Sequence, residues 1–157
     1  MGRHKPALLG GLLIGVLSSL PLVAIGNLCC CLWVIIGGLL TVYLEQQAQP
    51  DPIDTGDAAV GGLLAGVFGA IVAVAGAAVM QAVTGPMMQE QMQQVFANRP
   101  EISPEMQEMF QRFFTGRNMI LFTAIVDLPV FAIFGALGGL LGVAFFRKKV
   151  PPPGIPV

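Results

Sequence analysis

Three groups of side chains in this 157-residue chain could do chemistry: one acid, a run of thiols and a set of thioethers. The acid is Asp127, the sole charged residue between Asn118 and Phe146 in a strongly apolar stretch. If that stretch crosses a bilayer, a carboxylate inside it costs ~2.5–3.5 kcal/mol near the centre and usually meets water or a partner. Such a group could serve as a proton or cation site. The local pattern also offers a structural role. Asp127-Leu128-Pro129 parallels Ser19-Leu20-Pro21, and the residues that follow agree as well, LPVFAIFG against LPLVAIG. Each proline deletes one helical hydrogen bond, leaving the carbonyls of Leu17 and Ile125 without their usual donors. A Ser or Asp close by can cap or hydrate such a kink. Ser18, Ser19 and Asp127 are therefore the intramembrane polar candidates, and with no basic residue inside any apolar stretch the structural role is the favoured one.

The thiols are Cys29, Cys30 and Cys31. Successive helical residues point ~100° apart, so three adjacent thiols do not converge on one ion. Leu28 stands where a bacterial lipoprotein cleavage site wants a small residue, and palmitoylation needs a eukaryotic host. They read as small packing residues. Of eight methionines, Met87, Met88, Met92, Met106 and Met109 cluster, which suggests soft thioether ligation of Cu(I). Met88, Met92, Met106 and Met109 occupy an apolar helical stripe, however, where packing explains them. Phosphate-loop, nucleophile–base and zinc patterns are missing from the sequence, and the one His is His4. No metal, no cofactor and no catalytic activity are expected.

The elements around these residues are those of a membrane protein. The chain is 55% hydrophobic, only 11% charged, and contains 20 glycines. A soluble domain of this length carries more charge, and the surplus apolar area points to lipid. A net charge of −1 argues against nucleic acid as a partner. Four apolar runs, at 7–26, 28–44, 58–83 and 118–146, predict four transmembrane helices in two hairpins forming one membrane domain over 1–157. The first run is read as a span and not a signal peptide, despite the small residues Ala24 and Gly26, because a second run follows at once. Pro6 rules out a myristoylation signal.

The tetrapeptide Gly-Gly-Leu-Leu recurs in all four runs, starting at Gly10, Gly37, Gly61 and Gly138. If the runs alternate direction, every copy falls in one leaflet, and Gly10, Gly11, Gly37, Gly38, Gly61, Gly62, Gly138 and Gly139 let backbones approach closely. In the third run, Gly61, Ala65, Gly69, Ala73 and Ala77 form one small-residue stripe and Gly62, Gly66 and Ala70 another, as expected of a central helix. GGLLIGV at Gly10–Val16 returns as GGLLAGV at Gly61–Val67, which suggests two hairpins of one ancestral pattern pointing the same way.

Between the third and fourth runs, 86–115 predicts an amphipathic pair of surface helices. Met88, Met92, Val95 and Phe96 line one; Met106, Met109, Phe110, Phe113 and Phe114 line the other. Ser103-Pro104-Glu105 starts the second, and Asn98-Arg99-Pro100 breaks the two apart. Residues 45–57 read as a plain loop and 150–157 as a flexible tail. Arg3, Lys5, Arg147, Lys148 and Lys149 outweigh Arg99, Arg112 and Arg117, which favours cytoplasmic termini. The segments MQEQMQQVF and SPEMQEMFQRFF, followed by a glycine-rich span ending in FFRKK, give a chain that resembles a bacterial family of small four-span membrane proteins known as a domain of unknown function. The resemblance implies bacterial origin and inner-membrane residence, and supplies no functional residues.

The expected fold is all-α and polytopic. The leading expectation for function is a non-enzymatic accessory or scaffold subunit, with the bilayer and other membrane subunits or further copies of itself as partners. Alternatives are a small oligomeric transporter or channel using Asp127, and a lipid or stress sensor acting through the Met/Phe stripe.

Overall fold

The computed structural model describes residues 4–20, 27, 31–99, 102–114 and 117–148, all of them helical or in the connections between helices. Pro21, Ala24, Gly26, Cys29, Cys30 and the tail at 150–157 lie outside the described residues, as do the side chains of Phe113 and Phe114. Among the described residues five helices follow in order: α1 (His4–Ser19), α2 (Leu32–Ala48), α3 (Thr55–Ala97), α4 (Pro104–Phe114) and α5 (Arg117–Phe146).

Local chemistry sets their ends. Pro6 sits in the first turn of α1, where its missing N–H costs nothing. α2 starts after Cys31, whose φ of 51° and ψ of 42° put it in the left-handed region and redirect the chain. Asp54 caps α3 by accepting from the Gly56 N–H at 2.9 Å, and Asp57 follows in the first turn. Ser103 caps α4 through the Met106 N–H at 3.3 Å, with Glu105 at the N-terminal end and Arg112 at the C-terminal end.

Helices α1, α2, α3 and α5 form a bundle in which α2 and α3 each touch all three others, while α1 and α5 lie across from one another. Gly11 lies beside Ala65 and Gly69, and Ser19 beside Gly76, so α1 and α3 run parallel. Ile35 lies beside Gly138 and Val42 beside Gly142, so α2 and α5 do too. Gly62 meets Gly135 and Gly66 meets Phe131 across an antiparallel α3–α5 seam. Two apolar clusters fill the bundle: Ile14, Val34, Ala65, Ala70, Ala73 and Phe131 in one, and Val42, Ile53 and Ala58 in the other.

Helices α3 and α5 are long and apolar enough to cross a membrane. α1 has 16 residues and α2 17, below the ~20 that a bilayer core asks of a span on its own. The expected bounds shift accordingly: α2 begins later than residue 28 and continues past 44 to Ala48.

The expected pair of separate surface helices is corrected. α3 does not stop near residue 83 but runs 43 residues to Ala97, ~65 Å in length, straight through Pro86 in sequence. Pro86 removes a single donor, that to the Ala82 carbonyl, and the Met, Gln and Glu residues beyond it are strong helix formers that carry the helix on. The first amphipathic helix is thus an extension of α3. α4 folds back on it through an edge-to-face contact of Phe110 with Phe96, centroids 6.4 Å apart, and the Asn118 side chain donates to the Arg112 carbonyl at 2.9 Å to tie α4 to α5.

Candidate functional site

The polar groups of the bundle gather at two levels. The first, at the end that carries both termini, is a closed layer. Gly10 packs on Gly37 and Thr41, Gly11 on Ala65 and Phe68, Gly38 on Gly135 and Gly138, Gly61 on Thr41 and Glu45, and Gly139 on Ala58. Gly69 further along α3 receives Ile14. A Cβ at Gly62 or Gly66 would strike the main chain of α5, at Gly135 and Phe131 respectively. At Gly62 and Gly66 the helices therefore meet backbone to backbone. The Thr41 hydroxyl is buried there and donates to the Gly37 carbonyl at 2.9 Å.

Residues 45–57, expected as a plain loop, contribute to this end. Glu45 and Gln46 belong to α2 and are only 7% and 3% exposed. The Gln46 amide donates to the Asp51 carbonyl at 2.9 Å, while its oxygen accepts from the Ile53 N–H at 2.9 Å and the Lys148 N–H at 3.4 Å. One side chain therefore holds the α2–α3 turn, buries Ile53 and pins the end of α5. Lys148 adds a bond from its ammonium to the Gln49 carbonyl at 2.8 Å. The signal was present in the spacing: Glu45 and Gln46 continue the buried face of Thr41 and Val42 by one helical turn.

The second level is open. Toward the end away from the termini, a vestibule of about 270 Å³ is lined by Ser18, Asn27, Cys31, Thr123 and Asp127, with Ala73 and Ala77 as one wall. Thr123 and Asp127 are one turn apart on α5 and so share a face. The small Ala73 and Ala77 on α3 leave the room. Val130 and the buried Phe131 line its inner side, and Phe131 belongs to the apolar cluster with Ile14 and Val34. The vestibule is therefore a one-sided pocket that ends on the core.

Within it, the Asn27 amide donates to the Ser18 hydroxyl at 2.8 Å, which ties Asn27 to α1. The Asn27 Oδ1 is buried and has no hydrogen-bond partner among the described residues. The Asp127 carboxylate is half-buried and bonds to no other described residue. Ser19 does something else. Its hydroxyl donates to the Gly15 carbonyl at 2.7 Å and not to the Leu17 carbonyl two residues on, and its side chain packs on Gly76. Ser19 and Ser18 also border a neighbouring groove of about 470 Å³ with Met80, Gln81, Met87 and Met88. Asn27 escaped sequence reasoning as a site residue because a lone Asn between two apolar runs reads as a turn.

The other candidates are dispersed. Met106, Met109 and Phe110 are exposed on α4. Cys31 packs against the apolar cluster, and among the described residues no three His, Cys, Asp or Glu side chains come together as metal ligands.

A family model described as the MJ1491 transmembrane domain matches residues 4–148. The chain belongs to the MJ1491 transmembrane domain family. It is an integral membrane protein, and the lipid bilayer is its surroundings. The glycine layer, the Gln46 clamp and the vestibule all fall within the matched part of this MJ1491 transmembrane domain. No curated protein and no solved structure matches the chain.

Proposed function

We propose that this is a non-enzymatic, four-crossing membrane protein acting as a small transporter whose solute enters the Asp127 vestibule from the face opposite the termini. The observation that carries this reading is the convergence of Ser18, Asn27, Thr123 and Asp127 from both hairpins onto one open pocket. A carboxylate in a bilayer-crossing helix, with no partner among the described residues, calls for water or a ligand beside it. The pocket's inner wall of Phe131 and the closed glycine layer favour a carrier that rearranges over an open single-chain channel. α1 and α2 become spans with the help of their flanking residues and of a locally thinned bilayer. The distribution of Arg and Lys favours both termini on the cytoplasmic side.

The accessory-subunit reading draws on the small-residue stripes and on the scarcity of polar groups in the spans. The glycines of those stripes face partners inside the chain, which leaves Leu, Ile, Val and Phe on the outside, a surface lipid can cover. A homo-oligomer through these outer faces remains compatible with transport. The sensor reading depends on the exposed Met106, Met109 and Phe110 of α4, which lie on an arm continuous with α3.

Proteoliposomes containing the chain, given imposed Na⁺ and pH gradients and read by internal pH and by ²²Na⁺ uptake, test the proposal. Flux that Asp127→Asn removes, with the variant still folded and incorporated, is the expected result. Flux that is absent, or that survives in Asp127→Asn, rules transport through this site out.

A further inference from the structure

We propose that the vestibule is a binding site for one alkali-metal cation of about the size of Na⁺, held by the Asp127 carboxylate, the Asn27 Oδ1 and the hydroxyls of Ser18 and Thr123. It rests on the solute-site reading above and names the solute's class. Every polar group lining the pocket except the Cys31 thiol offers oxygen, the donor of hard cations. The pocket has a single carboxylate and no basic residue. One negative charge matches one positive charge. A divalent ion would keep a net positive charge in low dielectric, where uncompensated charge is expensive, and such ions are usually held by more than one carboxylate.

Asn27 distinguishes a cation from a proton as occupant. Its Nδ2 donates to Ser18, and its Oδ1 is buried with no hydrogen-bond partner among the described residues. An unmet buried acceptor costs about 1–3 kcal/mol. A proton on Asp127 neutralises the acid and does nothing for Asn27, whereas a cation answers both. Ser18 accepts from Asn27 through one lone pair and retains a second for the ion. The volume of about 270 Å³ leaves room for the ion to keep some of its waters on the open side.

The test is equilibrium binding of ²²Na⁺ to the purified full chain in detergent, which needs no transport. The expected result is saturable binding that unlabelled NaCl displaces and that choline chloride and MgCl₂ do not. Asp127→Asn abolishes it, and Asn27→Ala and the near-isosteric Thr123→Val each weaken it about tenfold, the scale of one lost neutral ligand. Helical circular dichroism and monodisperse elution verify that each variant is folded, and Thr123→Val keeps the shape of the wall should Asp127→Asn not fold. Absence of saturable binding to the folded wild-type chain overturns the assignment, as does binding that Mg²⁺ displaces or that Asp127→Asn and Thr123→Val both leave unchanged. Binding without flux retains the cation site and refutes transport. Proton flux without Na⁺ binding does the reverse.

Discussion

Two alanine substitutions of glycine, chemically identical, are expected to differ in whether a second mutation can repair them. At Gly62 the new methyl strikes the Gly135 carbonyl oxygen and comes within 3.0 Å of the Gly139 Cα, both main-chain atoms of α5. At Gly76 it strikes only the Ser19 side chain, with the Ser19 Cα a comfortable 4.0 Å away. Overpacking costs about 1–3 kcal/mol. Replacing a helical glycine by alanine returns roughly 1 kcal/mol of propensity. Gly62→Ala belongs at the upper end, because parting α3 from α5 also loosens Gly66 on Phe131 and Gly139 on Ala58. Its net cost should be about 2 kcal/mol, since tight packing is the main force between helices in lipid. Gly76→Ala should cost about 1 kcal/mol or less by the same two terms. Ser19→Gly then relieves Gly76→Ala with a favourable coupling of about 1–2 kcal/mol, and simply adds to Gly62→Ala. Reversible unfolding in mixed detergent and SDS micelles measures all five variants. Wild-type stability in Gly62→Ala, or equal rescue of both by Ser19→Gly, would refute the packing described at these seams.

Gln46→Leu keeps the side-chain volume but orphans the buried Ile53 N–H and frees the end of α5, and should lower stability by about 1–3 kcal/mol and speed proteolysis after Lys148. Cys31→Val should destabilise by about 1–2 kcal/mol in the same unfolding assay because a β-branched side chain is poorly tolerated at φ 51°, while Cys31→Asn is accepted. Ser103→Ala removes the α4 cap and should cost about 1 kcal/mol of local stability, read as faster amide exchange over Glu105–Gln107 with none in the bundle.

Helix content was legible wherever one rule dominated. Glycine pairs at matched heights are visible as a repeat, and Asp54 and Ser103 are ordinary caps ahead of helices. Boundaries were harder to read because propensity and proline compete. Pro86 looks like an end, yet one lost hydrogen bond is outweighed by a run of strong helix formers after it. Gln46 and Asn27 were opaque for another reason. Both are polar residues beside apolar runs, where composition suggests solvent, and only the return of α5 at Lys148 or the approach of Ser18 gives their side chains partners within the protein. Asp127 stood out in the sequence, but its companions come from α1, the α1–α2 connection and a position one turn earlier on α5, which no linear spacing displays.

The bundle is therefore polar and open at one end, glycine-packed and closed at the other, and the two ends constrain any mechanism together. At the closed end helices meet backbone to backbone, so separating α3 from α5 gives up many close contacts at once and gains only lipid in return. At the open end Ala73 and Ala77 leave a gap where a larger residue would have closed the pocket around Asp127. The Gln46 clamp further ties α2, the α2–α3 turn and α5 into one unit at the termini. The α1 helix joins the two ends, because Ile14 packs on both Gly37 and Gly69 in the glycine layer while Ser18, one turn further on, holds Asn27 at the vestibule.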